Sequence, residues 1–335
     1  MLRKPLPYRV VAIEEHFWNA RFAAQSGEPK NARPSAVRER LEDFGGIRLC
    51  EMDEAGIDVQ VISHVPPGGQ RLSVEIAVSA CRAANDDLAR SIAVAPERFA
   101  AFAALPTVDP SAAADELRRV VEELGFKGAM LHGLSNGRFL DDRDFWPIYA
   151  QAEALDIPIY LHPAQPDPTV SAIYYGTYAK THPMLARTAW GFGVETGTQA
   201  IRFVLSGMFE AYPNLKIVLG HLGEGIPFQL ARIDEALSRP GNDSISFAKV
   251  FRKNFYVTTS GFFSDPALRC CIEELGVERI LFAVDWPAVQ NKPGVDWLSA
   301  FPLDPDGKAK ILGGNSDALL RLSEPRRAAA SGGFI

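Results

Sequence analysis

KGAMLH (127–132), a connecting stretch ending in FWPIYAQAEALDI (145–157), and PIYLHP (158–163) form one repeating unit. A short apolar run is followed by a helical stretch and a second short apolar run. Runs of this length suit buried strands, and two strands joined through a helix lie parallel. The reading extends in both directions. VVAIEEH (10–16), VQVISH (59–64) and FAAFAAL (99–105) precede the unit; KIVLGH (216–221), NFYVTTS (254–260) and RILFAVDWP (279–287) follow it, which makes eight runs. Between them, residues 73–95, 112–126, 188–212, 226–237 and 265–276 carry helical composition, with Pro96 and Gly125 as stop signals. Eight alternating units predict an α/β fold of the (β/α)8 barrel type rather than an open sheet. No G-x-G-x-x-G or G-x-x-x-x-G-K-[ST] loop follows an early strand, which weakens a nucleotide-binding reading. The expectation is one barrel domain over 1–335, with long loops after strands 1, 5 and 8 (17–47, 164–187 and 288–306). The tail 324–335 is expected to be flexible or docked on a partner subunit.

Composition narrows the function. A net charge of −6 argues against a general nucleic-acid binder, so an anionic substrate needs local cations. The four cysteines (Cys50, Cys81, Cys270, Cys271) form no C-x-x-C pair, which disfavours a zinc ribbon or a disulfide framework. The basic start MLRKPLPYR lacks the apolar core of a signal peptide, and no apolar run is long enough to span a membrane. A soluble cytoplasmic protein is expected.

The histidines fall in a pattern. His16, His64, His132, His162 and His221, five of the six, sit at the C-terminal ends of predicted strands; His182 lies in a loop. Glu14 shares strand 1 with His16, and Asp285 ends strand 8. In a barrel these ends converge on one mouth. Residues two apart on a strand face the same way, so Glu14 and His16 can reach one ion while Glu15 points outward in a structural role. His162 and Asp285 complete a four-donor set of imidazole and carboxylate, suited to Zn2+, Mn2+ or Fe2+. Glu224, one turn beyond His221, can fix the tautomer of that imidazole. Arg232 and Arg48 are cations available to clamp a substrate carboxylate, with surface salt bridging to Asp234 or Glu235 the alternative for Arg232. His64 and His132 are read as pocket-lining groups.

These residues lie in segments that resemble the amidohydrolase superfamily, specifically its aromatic-acid decarboxylase branch: the γ-resorcylate, 2,3-dihydroxybenzoate and 5-carboxyvanillate enzymes. The matching stretches are IEEHF, EMDEAGID, ELGFKGAMLHG, the run from NGRFLDD to PIYLHP, the run from WGFGVETG to FQLARID, and LFAVDWP, in the family's order. The resemblance implies Glu14, His16, His162 and Asp285 as metal ligands, His221 and Glu224 as an active-site pair, Arg48 and Arg232 as substrate-carboxylate contacts, and Phe192 as a residue packing near the substrate ring. Strand 1 carries E-x-H rather than H-x-H. Strand 4 ends in His132 where dinuclear relatives place a carbamylated lysine, which favours one metal. After Asp285 the chain reads DWPAVQNKPG instead of D-W-P-F-E-N.

The expected activity is metal-dependent, non-oxidative decarboxylation of a phenolic acid with an ortho hydroxyl. Asp285 is the expected general acid, assisted by His221 and Glu224. One divalent ion is expected, Mn2+ ahead of Zn2+, with no organic cofactor. A small aromatic carboxylate is the expected ligand, and a homodimer or homotetramer the expected assembly. The alternative is a hydrolase or hydratase on the same barrel, with Asp285 as general base activating water.

Overall fold

The computed structural model describes residues 6–26, 33–243 and 245–322. Eight parallel strands appear in chain order: β1 (Val11–Phe17), β2 (Val59–His64), β3 (Phe99–Ala101), β4 (Ala129–His132), β5 (Pro158–His162), β6 (Lys216–Leu219), β7 (Phe255–Thr258) and β8 (Ile280–Leu281). They pair as β1-β2-β3 and β4-β5-β6-β7-β8. The ring closes at two seams. Ala103 bridges to Ala129 between β3 and β4, and Glu15 bridges to Trp286 between β8 and β1. His16 N–H also donates to the Trp286 carbonyl at 2.8 Å, and Asp285 N–H to the Glu14 carbonyl at 3.0 Å. The (β/α)8 barrel read from the sequence is therefore the fold.

One helix covers each strand: α1 (Ile47–Ala55), α2 (Val74–Ile92), α3 (Pro110–Glu122), α4 (Trp146–Ala154), α5 (Gly191–Leu205), α6 (Ile226–Leu237), α7 (Asp265–Leu275) and α8 (Asn291–Ala300). Local signals start them. Asp109 caps α3 by accepting from Ala112 N–H ahead of Pro110, and Gly225 at φ 79 turns the chain into α6 with a proline in its first turn. The helix faces and the outer sheet face form one apolar layer; Val11, Ile13, Val59, Val61, Phe102, Met130, Tyr160, Val218 and Leu281 fill the barrel interior.

Two of the three expected long loops differ in structure. The segment after β1 contains short helices at Ala20–Gln25 and Ser35–Glu42. The segment after β8 contains α8, despite its proline and glycine. Pro293 falls in the first turn, where its missing N–H costs no bond, and a Cβ at Gly294 would lie 2.6 Å from the Phe263 ring. Between Ala164 and Trp190, the loop after β5 has only short turns of helix. The tail expected at 324–335 lies outside the described residues. No described helix is long and apolar enough to cross a membrane.

Candidate metal centre

A bulge in β1 decides which side chains enter the mouth. Val11 and Ile13 point into the barrel, so strict alternation would send Glu15 inward next. Instead the pairing with β2 slips by one residue between Ala12 and Glu15: Ala12 faces Gln60, yet Glu15 faces Ile62. Such an insertion re-aims the strand. Glu14 and His16 take the inner face, and Glu15 turns to the seam with β8. There it is fully buried, and its carboxylate accepts from Val284 N–H and Trp286 N–H, both at 2.9 Å. Those two amides flank Asp285, whose backbone is left-handed at φ 70.

Glu14, His16, His162 and Asp285 each present one ligand atom, and the four atoms lie within 4.8 Å of one another. His16 Nε2 is 3.3 Å from Asp285 Oδ1, and His162 Nε2 is 3.2 Å from Glu14 Oε1. The far nitrogens are committed: His162 Nδ1 donates to the Pro163 carbonyl at 2.7 Å, and His16 Nδ1 meets Ser63 Oγ at 3.1 Å. Each ring is thereby oriented with Nε2 toward the cluster. Glu14 Oε2 accepts from Tyr160 and Thr258, and Ser260 extends that network. Its Oε1 and His16 Nε2 are buried without a hydrogen-bond partner. Two orphaned acceptors converging with a second imidazole and carboxylate fit a divalent cation of the Mn2+ or Zn2+ type. Burial raises the pKa of Glu14, but His221, His162 and His16 outweigh it and bring it down to about 2.

His221 lies two residues beyond β6 rather than ending it. It sits in a turn where His221, Leu222 and Glu224 all have positive φ (50, 55 and 52). That sparsely populated backbone turns the imidazole toward the cluster. Nδ1 bonds Glu224 Oε1 at 2.7 Å, and Nε2 lies 3.7 Å from Glu14 Oε1. Burial favours the neutral ring, yet Glu224 and Glu14 hold its pKa up at about 10. Asp285 likewise lies beyond the short β8, not at its end.

The structure does not bring every expected residue to this cluster. Arg48 is fully buried beneath β1, where its guanidinium bonds the His16 carbonyl at 2.6 Å, the Asp43 carbonyl and Gln60 Oε1, and stacks 4.1 Å over Trp286. Every arm is occupied, so it supports the centre and does not clamp a substrate. Burial pushes it down to about 9 against the pull of Glu15, Asp43 and Glu51. His64 is also displaced: β2 alternation puts it on the outer face, against Phe17 and Phe22, with Nδ1 on the Val65 carbonyl and Nε2 accepting from Asn19 N–H. Arg232 is exposed on α6; Glu235 pairs with Arg239 and Asp234 accepts from Ala248 N–H, so the salt bridge weighed for it does not form either. His182 is exposed in the loop after β5. His132 stands beside His162, their ring centroids 5.1 Å apart. Phe192 opens α5 next to Gly193, where a Cβ would lie 3.0 Å from Glu224 Oε2.

Sequence reading missed Tyr160, Ser63, Thr258 and Ser260. Tyr160 precedes His162 by two on β5 and shares its face, a signal that strand alternation offers.

The family model for amidohydrolases matches residues 12–322. A γ-resorcylate decarboxylase from Polaromonas sp. (strain JS666) is 38% identical over 329 residues, covering 93% of this chain and 98% of that protein. The crystal structure of a 2,6-dihydroxybenzoate decarboxylase complexed with 2,6-dihydroxybenzoate superposes at a TM-score of 0.87 with 37% identity, covering 95% of this chain and all of that one. A dihydroxybenzoic acid decarboxylase from Polaromonas sp. JS666, with bound manganese and the inhibitor 2-nitroresorcinol, also gives 0.87 at 37% identity, covering 95% of this chain and 98% of its own.

Proposed function

The chain belongs to the amidohydrolase family, and on that premise we propose that it catalyses metal-dependent, non-oxidative decarboxylation of a phenolic aromatic acid bearing an ortho hydroxyl. It is a carbon–carbon lyase. Glu14, His16, His162 and Asp285 would hold one divalent ion, Mn2+ in preference to Zn2+, which when bound supplies Lewis-acid polarisation and a template for the substrate oxygens. The manganese in the Polaromonas structure supports that preference.

Direct loss of CO2 would leave an aryl carbanion in the ring plane, out of reach of the π-system. Protonating the ring carbon that carries the carboxylate avoids this. The C–C bond then breaks, CO2 leaves, and its electron pair restores aromaticity. The proton must come from a group that meets the substrate. Asp285 is the observation that carries this assignment: its side chain is 19% exposed, against 5% for His16, 7% for His162 and none for Glu14. It is the donor facing the mouth, fixed by the amides on either side of it. Asp285 gives its proton to the ring carbon and is reprotonated between turnovers. His221, aligned by Glu224, holds a proton at Nε2 beside Glu14 and stabilises the phenol oxygen. Phe192 packs against the ring and His132 lines the pocket. A homo-oligomer is supported by large apolar side chains at the surface, Phe228 at 80%, Ile173 at 73% and Trp190 at 61% exposure.

The test is CO2 release from a panel of ortho-hydroxybenzoates by the Mn2+-loaded protein, beside acid release from aromatic esters. Asp285→Asn is expected to retain metal in part and lose turnover by at least 100-fold. Full turnover in a metal-loaded Asp285→Asn protein, or ester cleavage without CO2, overturns the reading.

A further inference from the structure

The run NFYVTTS (254–260) ends in three hydroxyl residues, where β1 and β5 bring imidazole and carboxylate to the mouth. It supplies no donor to the four-residue cluster. Thr258, Thr259 and Ser260 are all fully buried. Thr259 exchanges two bonds with Ala283: its Oγ1 donates to that carbonyl at 2.9 Å and accepts from that N–H at 3.1 Å. The end of β7 is thereby fixed to the segment that leads into Asp285. Thr258 and Ser260, on either side of Thr259, turn the other way, toward Glu14 and His221.

Their hydroxyls form a continuous chain. Ser260 Oγ accepts the His221 N–H at 3.0 Å and lies 2.9 Å from Thr258 Oγ1. Thr258 Oγ1 is 2.9 Å from the Tyr160 hydroxyl and 3.4 Å from Glu14 Oε2, and the Tyr160 hydroxyl donates to that same oxygen. Tyr160 and Glu14 are fully buried as well. Counting hydrogens gives the chain a direction. A carboxylate that ligates a metal only accepts, so Glu14 Oε2 draws its hydrogens from Tyr160 and Thr258. Ser260 accepts at one end, and among the described residues Thr258 Oγ1 is the acceptor for the hydrogen it carries. The reverse order would leave the Ser260 hydrogen without an acceptor and Glu14 Oε2 without a donor, both buried. Every hydrogen therefore runs from the His221 turn toward Glu14, and bonds aligned in one sense polarise one another.

The backbone around the chain is shaped to it. A Cβ at Gly220, directly before His221, would lie 3.0 Å from Glu14 Oε2, 3.2 Å from Ser260 Oγ and 3.3 Å from the Tyr160 hydroxyl. The Thr258 carbonyl accepts from Leu222 N–H at 2.7 Å. Both amides of the left-handed pair His221–Leu222 are thus held from the end of β7, which is how so sparsely populated a backbone persists. We infer that Tyr160, Thr258 and Ser260 act as one unit of positioning residues, which occupies Glu14 Oε2, leaves Oε1 to face the cluster and anchors the carboxylate to the turn that carries His221. The inference rests on the reading of Glu14 as a metal ligand and not on the identity of the substrate. A carboxylate oriented in advance binds its ion more tightly, because the ion does not have to order it.

The Mn2+ dissociation constant and the Tm of the metal-free protein are measured by calorimetry on the full chain, with CO2 release recorded separately. Thr258→Val keeps the shape and removes the hydroxyl, and Mn2+ binding is expected to weaken by about tenfold or more; Thr258→Ser, which restores the hydroxyl, brings it back to within about threefold of wild type. Ser260 bonds none of the four donors, yet Ser260→Ala is expected to weaken Mn2+ binding by about tenfold as well, and to add little in a Thr258→Val background, where the chain is already broken. Tyr160→Phe, which removes the hydroxyl at the carboxylate end, stands in if Thr258→Val does not fold. A lower Tm with unchanged Mn2+ affinity in both single variants overturns the unit and leaves the hydroxyls a packing role. Weakening in Thr258→Val alone, or losses that simply add, overturns the link to the His221 turn. A wild-type protein that binds no Mn2+ overturns the metal centre and the unit with it. Mn2+ binding that responds as expected, with no CO2 from any acid, overturns the proposed reaction and leaves the unit standing.

Discussion

Arg48 Nη2 donates to the carbonyl of His16 at 2.6 Å, so the guanidinium expected to clamp a substrate carboxylate lies beneath β1, the strand that carries Glu14 and His16. Its partners include the His16, Asp43 and Arg40 carbonyls, Gln60 and the Trp286 and Phe44 rings. Arg48→Met removes one side of a buried charge network, and the expected loss is about 3–5 kcal/mol in denaturant unfolding. Arg48→Lys does not rescue, because an ammonium cannot both stack and fork. Metal content at limiting Mn2+ should fall with it. A folded, fully metallated Arg48→Met protein that shows only a raised KM would return Arg48 to the substrate.

Glu15 predicts a different signature. Its carboxylate receives the amides on both sides of Asp285. In Glu15→Gln one of those N–H groups faces an NH2 and goes unpaired, a cost of about 1–3 kcal/mol. Because the cost falls on the turn that aims Asp285, Mn2+ affinity should weaken by about tenfold or more while the apo protein remains folded. An unchanged Mn2+ dissociation constant would confine Glu15 to closing the barrel.

These two residues also show where sequence reading stops. The barrel was legible because eight apolar runs alternate with helical stretches, and the donor group was legible because Glu14, His16, His162 and Asp285 stand at or near run ends. Glu14 and His16 do face one way, but only because the β1 bulge reverses the alternation set by Val11 and Ile13. Nothing in VVAIEEHF marks that extra residue. His64 was misplaced for a related reason: in VQVISH the face of Val59 and Val61 ends in Ser63 and the face of His64 carries Ile62, so each face mixes apolar and polar residues and the histidine at the end does not say which face is inner. Arg48 was misplaced because a cation followed by EMDEAGID reads as surface, and the carbonyl and aromatic partners that bury it come from distant segments.

Glu195 gives a pH dependence. Burial pushes its carboxyl up to about 7, despite the Asp167 amide it accepts and the nearby Arg71. A carboxyl raised on folding binds its proton more tightly in the native state than in the unfolded chain. Its stabilising contribution is complete below about 4.5, the ordinary glutamate range, and is lost as pH rises towards 7. Glu195→Gln cannot ionise, so the fall in Tm between pH 5 and pH 8 should be smaller in the variant. Parallel curves for the two proteins would show that Glu195 titrates normally.

Metal removal should act through the orphaned Glu14 Oε1 and His16 Nε2. A cation bound only by the native state stabilises by mass action, about 4 kcal/mol at a free concentration of a thousand times Kd. Chelation should therefore lower Tm by several degrees, and added Mn2+ should restore it. Glu14→Gln should abolish the Mn2+-dependent rise. A Tm indifferent to Mn2+ would mean that the donors bind no ion in this chain.

Glu224 tests whether the His221 pair carries a proton or only completes a turn. The carboxylate reaches Nδ1 at 2.7 Å, and with Glu14 it overcomes the burial that would otherwise keep the ring neutral. Glu224→Gln keeps a hydrogen-bonding group of the same size but removes the charge, so the imidazolium loses support. If His221 must be protonated during turnover, the alkaline limb of the pH–rate profile moves to lower pH, by about one unit or more. The maximal rate falls about 10- to 100-fold, and kcat/KM falls with it, because the imidazolium that steadies the phenol oxygen loses its support. A merely structural role makes the opposite prediction: a lower Tm, a scaled-down profile and no movement of either limb. His221→Gln should then lose no more activity than Glu224→Gln, whereas a proton-carrying His221 makes it the more damaging of the two.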